Sequence, residues 1–569
     1  MPLRTVLWLL LAVVAGTTIG FRIGLPGSDP SPVAASAAAG QPSPELEFAP
    51  PSGRPVTPRG LDTGGPSASP GLQPLSSVSS SSAARNGSGV ASSGDPGTAA
   101  FDAPYAADLS FLTFGTGAAT PSSSASSAPT ETTTSLTTTT PAAPTGPSPV
   151  ISDVRTVSLS PFAATISWRT NVPTTSRLVY GLDAPVVWSA PTTLSTSHQA
   201  RMTGLTQLRS YRLDLAARSE DAQTTVEEFL LTTPAISGPV HASVGGGAIL
   251  RDGQPWFPKM VWAQCADAVG GNLALGIDLF MGNGCGTASQ LATWLGTAAF
   301  VLGDAKHSTA DRAGALGVHL PDEWDTGLPN NFSLEDALGA VPATPGSGPR
   351  FLTLTNHFYS RAEPLPQGRG MYPGLAASAD VLGFDLYPLQ NWCRWDSFHD
   401  VFDAQIDLVS LARGKPTFQW IEARRMDCTG ELLDPTPETL RAETWLAIAG
   451  GAHAIGYFPN NWTAAVGAEI ARTNHEIDGL VSVLVEPNIA ASVAVGSYVK
   501  AGAREHNGAV YVIAVNASRG TSSATITVPA LADRTLRTLD GLHTVTASGG
   551  SFTDTFGPLE ARIYIAAPA

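Results

Sequence analysis

Apolar, strand-like runs alternate with helix-like stretches between residues 240 and 480. The strand-like runs are PWFPKMVWA, GIDLFMGN, AAFVLGDA, GALGVHLPDE, RFLTLTNHFY, ADVLGFDLYPL, KPTFQWIEA and AHAIGYFPN. Helical candidates between them include TASQLATWLG, FHDVFDAQIDLVSLARG and TPETLRAETWLAIAGG. The third candidate opens with Thr436, Pro437 and Glu438, which supply a cap, a first-turn proline and a first-turn acid. A strand and a helix repeated about eight times predict a (β/α)8 barrel, here over residues 240–482.

Alternating apolar and polar residues on both sides of this region predict β-sandwiches. Upstream, short alternating runs are separated by Pro, Asn and Gly turns. Downstream, SYVKAGAREHNGAVYVIAVNAS has two such runs around Asn507 and Gly508, a strong hairpin signal. We therefore predict a small β-sandwich over residues 150–234 and a C-terminal β-sandwich over residues 485–569.

Two aromatic residues give the upstream unit a recognisable form. Trp168 in ATISWRT matches the core tryptophan of a fibronectin type III domain, and Tyr211 in TGLTQLRSY matches its corner tyrosine. Residues 150–234 therefore resemble a fibronectin type III domain. The resemblance implies a spacer or a binding module and does not indicate an activity.

The N-terminal part of the chain lacks both periodicities. MPLR is followed by the short apolar stretch VLWLLLAVVAGTTIG, which suits a signal-peptide core better than a spanning helix. We predict a signal peptide or signal anchor over residues 1–27 and a disordered Ser/Thr/Pro/Ala/Gly-rich linker over residues 28–149. The bulk of the chain would then be secreted or extracytoplasmic, and a membrane tether through the N-terminal apolar segment stays open.

Composition narrows the class of partner. Hydrophobic residues make up 43% of the chain and charged residues 14%, so part of the chain buries a sizeable core. The net charge is −15 and no run of Lys or Arg occurs. A nucleic-acid partner is therefore disfavoured, because binding to phosphates requires basic patches. We expect a monomer that uses no cofactor.

Polar and aromatic residues collect where the predicted barrel strands end, which is where barrel enzymes place their sites. The fourth run, GVHLPDE, ends at Glu323, and the seventh, FQWIEA, reaches Glu422. Strand alternation puts Glu323 on the face of His319 and puts Glu422 on the face of Trp420. We therefore expect both carboxyl groups to point into the barrel mouth.

Glutamates that end strands four and seven of such a barrel are the mark of glycoside hydrolase clan A. The region resembles that clan through Glu323 in LPDEWD and Glu422 in QWIEAR. The resemblance implies that Glu323 is the general acid/base, that Glu422 is the nucleophile and that Tyr387 in FDLYPL orients it. A retaining reaction needs these two carboxyl groups about 5–5.5 Å apart. Many clan members carry Asn directly before the acid/base, whereas this chain has Asp322.

Other residues near the strand ends are candidates for binding a sugar. Exposed indoles at a barrel mouth suit stacking on pyranose faces, and we expect at least two tryptophans to do so. The tryptophans in or beside the predicted end loops are Trp324, Trp392, Trp395, Trp420 and Trp462. The predicted substrate-binding residues are Asp322, His357, Asp385, Tyr387, Trp420 and Trp462.

All four cysteines fall within the barrel region, and their spacings match no zinc-binding pattern. Cys265 and Cys285 follow the first two strand-like runs, and Cys393 and Cys428 follow the sixth and seventh. Neighbouring end loops could be joined in this way. We predict the disulfides Cys265–Cys285 and Cys393–Cys428, and no metal site.

Two alternatives to a glycosidase remain open. A tethered chain with two β-sandwiches could be a non-catalytic surface glycan-binding protein or adhesin with a degenerate barrel. Fibronectin-like domains also precede purple acid phosphatases, and the stretches GDAKH (303–307) and TNH (355–357) faintly resemble metallophosphoesterase ligands. Those enzymes need a Gly-His-x-His motif near the end, and this chain has none.

Overall fold

The computed structural model describes most of the chain from residue 146 onward. The described residues are 73–74, 146–220, 224–327, 348–355, 358–359, 371–430 and 432–569. The predicted signal segment, nearly all of the predicted linker and His357 lie outside the described residues. Ala68–Ala569 forms one unit, so the contacts below are contacts within it.

Eight parallel strands close into a barrel, as the apolar runs predict. The first and last strands pair with each other, with Met260 opposite Gly456. Each predicted run contains one strand. The strands are β1 Lys259–Gln264, β2 Leu279–Asn283, β3 Phe300–Asp304, β4 Gly317–His319, β5 Arg350–Leu354, β6 Val381–Phe384, β7 Thr417–Glu422 and β8 Ala454–Phe458.

The helices follow the strands in sequence and include the three predicted from the pattern. The predicted cap of α6 is confirmed, because Thr436 Oγ1 accepts a hydrogen bond from Thr439 N at 3.2 Å. The sequence candidates did not include α1, α3, α4 and α7. The helices are α1 Ala266–Ala274, α2 Ala288–Leu295, α3 Trp324–Gly327, α4 Tyr372–Ser378, α5 Asp400–Ala412, α6 Pro437–Ala449 and α7 Ala464–Leu484.

Strand alternation sorts the barrel side chains into two apolar layers. Outward-facing residues such as Val318, Phe384 and Ile421 pack with the helices. Inward-facing residues such as Phe418 and Trp420 form a separate cluster that fills the barrel. The inward direction predicted for the Trp420 face of β7 is therefore confirmed. The buried interior residues of the strands are Met260, Leu279, Met281, Phe300, Leu302, Phe351, Val381, Phe418, Trp420 and Ala454.

A small antiparallel sheet precedes the barrel and closes its N-terminal end. Its strands are Ala242–Gly245, Ala248–Arg251 and Gln254–Trp256. Ile249 and Trp256 join the interior apolar cluster, and the Trp256 ring meets Phe300 edge-on at 5.5 Å. The small sheet therefore covers the N-terminal end of the barrel, and the C-terminal end is the one at which a site can be open to solvent.

The upstream unit is a seven-stranded antiparallel sheet system in which one long strand serves two ladders. The first part of Ala164–Gly181 pairs with Ser195–Met202, and the second part pairs with Ser210–Ser219. Trp168 and Tyr211 are buried, and Tyr211 Oη accepts a hydrogen bond from Thr206 N at 2.8 Å. The other strands are Gln73–Pro74, Ile151–Leu159, Val187–Trp188 and Thr224–Thr232.

Two antiparallel sheets follow the barrel and share one buried apolar cluster. Ala509–Asn516 of the larger sheet packs against α6. In the neighbouring strand, Gly502 lies so close to α6 that a Cβ would stand 2.0 Å from Ala449 O. The larger sheet contains Asn488–Ile489, Val499–His506, Ala509–Asn516, Thr535–Thr538, Thr544–Thr546 and Ala561–Ala566, and the smaller contains Ser492–Val493, Ser522–Thr527 and Ser551–Phe556.

Among the described helices, none combines the length and the apolar character needed to cross a bilayer.

Candidate active site

The chain turns sharply between β4 and α3, and this turn presents two carboxyl groups. The strand ends at His319, so the alternation that predicted the direction of Glu323 stops before that residue. Glu323 has φ of 44°, a left-handed conformation that few non-glycine residues adopt. Asp322 and Glu323 keep solvent contact, while the next residue, Trp324, is buried.

Asp385, directly after β6, is the described carboxyl group that contacts Glu323. Its side chain is 6% exposed and is hydrogen-bonded to the Glu323 side chain. Its Oδ1 atom has no hydrogen-bond partner among the described residues. Burial, reinforced by the negative charges of Glu323 and Asp322, raises the pKa of Asp385 well above its ordinary value. Asp385 therefore favours its protonated form.

Asp322 and Asp325 extend the acidic cluster on either side of Glu323. Desolvation first and the charge of Glu323 second raise the pKa of Asp322 to about 7. Asp325 is fully buried, and it accepts hydrogen bonds from Thr355 N at 3.2 Å and from Tyr372 Oη at 3.1 Å. Burial raises the pKa of Asp325 to about 7 despite these bonds. Asp325 therefore braces the turn, whereas Asp322 is open to a ligand.

Glu422, the last residue of β7, is completely buried. Its Oε1 accepts a hydrogen bond from Gln390 N at 2.7 Å, and its Oε2 accepts one from Leu389 N at 3.3 Å. These amides belong to the loop after β6 and stabilise the ionised carboxylate. Burial outweighs them and raises the pKa of Glu422 to about 8.

A second buried glutamate supports β7 from behind. Both carboxylate oxygens of Glu443, on α6, lie 3.4 Å from the backbone N of Glu422. Burial and the charge of Glu422 raise the pKa of Glu443 well above its ordinary value. We did not predict a role for Glu443 from the sequence. The available signal was an acid in a helical stretch that is otherwise apolar on that face.

Tyr387 lies between the two groups of carboxyls. Its ring stacks on Phe458 with a centroid distance of 5.7 Å. Burial raises the pKa of its hydroxyl, and so do the charges of the surrounding acids, listed by decreasing effect as Asp385, Asp322, Glu323 and Glu422. Both predicted catalytic glutamates are therefore within electrostatic range of one tyrosine. Their pairing as acid/base and nucleophile stays a prediction.

The predicted aromatic residues are placed at different depths. Trp420 is 3% exposed inside the barrel, and its Nε1 donates to Thr353 Oγ1 at 3.2 Å. Trp462 packs edge-on against Tyr457 at 6.3 Å, on the helix side of β8. Trp395 is half-buried and stacks on Phe398 at 4.9 Å. Substrate contacts of Trp420 and Trp462 stay predictions, and their surroundings are those of packed side chains.

Both predicted disulfides are confirmed. Cys265 and Cys285 join the loops after β1 and β2 with a Cα–Cα distance of 5.0 Å. Cys393 and Cys428 join the loops after β6 and β7 with a Cα–Cα distance of 5.4 Å. Each bridge links neighbouring loops at the same end of the barrel, so both stiffen the rim around the carboxyl groups.

Among the described residues, one cluster has metal-ligand geometry. The ligand atoms of His399, Asp400 and Asp403, at the start of α5, lie within 4.8 Å of one another. Lys500 Nζ stands 2.8 Å from both carboxylate oxygens of Asp403. We assign no metal to the cluster, because the lysine already supplies a cation there.

No protein-family model matches the sequence, and no curated protein matches it. The structure is similar to a solved GH30 endoxylanase from Clostridium papyrosolvens C71, at 11% identity and a TM-score of 0.34, over 58% of this chain and 100% of that one. It is also similar to a putative alpha-galactosidase/melibiase from Bacteroides fragilis NCTC 9343, at 11% identity and a TM-score of 0.38, over 75% of this chain and 99% of that one. A third similar structure is a noncanonic maltogenic alpha-amylase, AmyB, from Thermotoga neapolitana, at 10% identity and a TM-score of 0.37, over 55% of this chain and 99% of that one. Likenesses at this level assign neither a family nor an activity to this chain.

Proposed function

We propose that this chain is an exported glycoside hydrolase that cleaves a poly- or oligosaccharide by double displacement, with retention of configuration. The observation that supports it best is the set of carboxyl groups at the C-terminal ends of β4, β6 and β7. Asp385 and Glu422 are buried, whereas Asp322 and Glu323 are open to solvent. Buried acids with raised pKa values at strand ends, such as Asp385 and Glu422, are typical of general acid and base catalysis.

Glu323 is the proposed acid/base. Its side chain is open to solvent at the mouth, so it can reach a glycosidic oxygen. Burial favours the protonated form of Asp385, whose hydrogen bond to Glu323 places a proton beside the acid/base. After the sugar leaves, Glu323 takes a proton from water as water attacks the anomeric carbon.

Glu422 is the proposed nucleophile. An attacking carboxylate must be ionised, and the amides of Leu389 and Gln390 stabilise that form. Burial opposes ionisation, and the positive charge that develops on the sugar in the transition state would offset this cost. The covalent intermediate is then an ester between Glu422 and the anomeric carbon.

Asp322 is the proposed partner of a sugar hydroxyl. It stands where many similar barrels carry Asn, whose side chain both donates and accepts hydrogen bonds. A carboxyl group with a pKa of about 7 is half protonated at neutral pH and can also do both. The departure in sequence therefore preserves the hydrogen-bonding capacity.

The flanking units would serve the barrel without sharing its chemistry. We assign residues 150–234 to a fibronectin type III-like spacer and residues 485–569 to a C-terminal β-sandwich. Disulfides form and persist in oxidising compartments, so the two disulfides support export. The exported chain would act as a monomer on carbohydrate at or near a surface.

One observation favours the alternative of a glycan-binding protein without turnover. Glu422 is fully buried and both of its oxygens accept hydrogen bonds from backbone amides, as in a structural carboxylate. Such a protein would bind oligosaccharides without cleaving them. The experiment below separates the two functions.

The test is labelling with 2-deoxy-2-fluoro glycosyl fluorides of several sugars, followed by peptide mapping, beside a panel of glycans for hydrolysis. A retaining enzyme is expected to carry the label on Glu422, and Glu422→Gln is expected to carry none. A label on Asp385 would move the nucleophile to β6 and keep the reaction. Glycan binding with neither label nor hydrolysis would support the non-catalytic alternative.

A further inference from the structure

Trp262 is an aromatic side chain at the barrel mouth that the sequence patterns did not single out. It lies on β1 and shares the inward face with Met260, which is buried in the barrel interior. Trp262 packs on that interior cluster but is only half-buried. Its position is therefore the upper surface of the barrel core, facing the mouth.

The ring of Trp262 contacts residues on both strands that lead to the proposed catalytic glutamates. It meets His319, the last residue of β4, at 5.1 Å and an interplanar angle of 64°. It meets Trp420, two positions before Glu422 on β7, at 5.9 Å and 86°. Both contacts are made edge to face, so neighbouring rings hold the indole in a fixed orientation.

The backbone around Trp262 is also held in place. Asn460 Nδ2 donates to Trp262 O at 3.3 Å and to Ala263 O at 3.2 Å. Gln264 Nε2 donates to Asn460 O at 2.9 Å, which joins the ends of β1 and β8. Cys265 then enters the disulfide with Cys285. A pre-ordered side chain loses little conformational entropy when a ligand binds.

The other tryptophans near the strand ends are less suited to this role. Trp420 and Trp324 are buried, and Trp462 faces the helices. Trp395 already has two partners, because Phe398 stacks on it and the Arg519 guanidinium lies 4.2 Å from its ring centroid. Trp262 is a partly open indole whose ring contacts β4 through His319 and β7 through Trp420.

We propose that Trp262 is the floor of the sugar-binding site, stacking on one face of a pyranose whose scissile bond lies between Glu323 and Glu422. The inference rests on the proposed function. It also specifies the substrate class, because a flat indole accepts a sugar with a continuous C–H face and disfavours axial hydroxyls on that face. The sugar bound there would thus present equatorial hydroxyls on its ring.

The experiment compares Trp262→Ala, Trp262→Phe and a matched control, Trp294→Ala. Trp294 lies on α2 and is 59% exposed, so Trp294→Ala removes an indole that is not part of the proposed binding site. KM and kcat are measured on the best glycan from the panel, and product oligosaccharide is titrated while tryptophan fluorescence is followed. Thermal unfolding of each variant is recorded in parallel.

Trp262→Ala is expected to raise KM and the product Kd by about ten-fold, and Trp262→Phe by about two- to three-fold. The fluorescence change on binding is expected to vanish in both variants and to persist in Trp294→Ala. If Trp262→Ala does not fold, the Phe variant alone decides, since it keeps a ring against His319 and Trp420.

Equal KM, Kd and fluorescence response in Trp262→Phe and wild type would overturn the proposed floor while the proposed hydrolysis stands. Wild-type protein that binds product with a Trp262-dependent signal but cleaves no glycan would overturn the hydrolysis and retain the floor. Wild-type protein that neither binds nor cleaves any glycan would overturn both.

Discussion

Both ends of the barrel bury charged groups, but among the described residues only the lower end pairs its buried acids with buried cations. At the bottom, Lys259 Nζ lies 2.6 Å from Asp478 Oδ1 and 3.2 Å from Asp278 Oδ2. Burial alone would lower the pKa of Lys259, but the two carboxylates outweigh it and the pKa is raised. At the mouth, Asp385 and Glu422 are buried among other acids.

This difference separates structural charge from functional charge. In the lower cluster, the two carboxylates stabilise the charged form of Lys259, and Asp478 also accepts a hydrogen bond from Thr206 of the upstream unit at 3.2 Å. In the upper cluster, burial and like charge act in the same direction and move the pKa toward neutrality. Stability favours the first arrangement, whereas proton transfer near neutral pH needs the second.

The largest expected effect comes from the mouth. Glu323→Gln removes the proposed proton donor and is expected to lower kcat/KM by about 10²- to 10⁴-fold. The melting temperature should stay close to wild type, because the side chain is exposed. Steady-state kinetics on the best glycan, with calorimetry on the same sample, provide the measurement. Full activity in this variant would remove Glu323 from the mechanism.

At the bottom, the loss should fall on stability instead. Lys259→Met removes the buried cation nearest to Asp278 and Asp478 and is expected to cost about 3–5 kcal/mol of unfolding free energy. Lys500→Met, which breaks the half-buried pair with Asp403, should cost about 1 kcal/mol or less. Urea unfolding measures both. Turnover per folded molecule should be unchanged. A lower kcat in folded Lys259→Met would contradict the assignment of the lower charges to stability alone.

The smallest expected effect is the dependence of stability on pH. Glu422 has a pKa of about 8 in the folded protein and an ordinary value near 4.5, so the folded state keeps a proton that the unfolded state releases. Its contribution is complete below the ordinary pKa and is lost as pH rises through about 8, with a slope of up to about 1.4 kcal/mol per pH unit.

Asp322 and Asp325 add to the lower part of that slope, because their pKa values are raised to about 7. Both groups still release protons between pH 7 and 8, so the contribution of Glu422 in that interval is the difference between the profiles of wild type and Glu422→Gln. Urea unfolding across that interval should show a falling stability in wild type and a flatter profile in Glu422→Gln. Identical profiles would mean that Glu422 titrates normally in the folded protein.

Topology and periodicity were sufficient to predict much of this molecule. Apolar runs of the right length marked all eight barrel strands, because barrel strands are buried on both faces. The two disulfides followed from the rule that the ends of adjacent parallel strands lie side by side, as Cys393 and Cys428 do.

What the sequence could not predict depends on depth and on turns. Alternation gives Trp420 and Trp262 the same inward direction, and only packing shows that the first is buried and the second is partly open. The contact between Glu323 and Asp385 requires the turn in which Glu323 has φ of 44°, after the strand pattern has ended. Glu443 reaches β7 from a helix, a contact that no local pattern encodes.

The packing of the last sheet on α6 bears on how this protein can be engineered. Arg504 Nη2 donates to Ile448 O at 2.7 Å, and Gly502 abuts Ala449, so the tail grips the C-terminal turn of the helix that carries Glu443. A recombinant barrel that ends after α7 would expose the apolar face of α6 that the last sheet covers. Glu443, which contacts the backbone of β7, would then be held less firmly. The barrel is therefore not expected to fold well without the C-terminal sheets, and any fusion or truncation has to retain them.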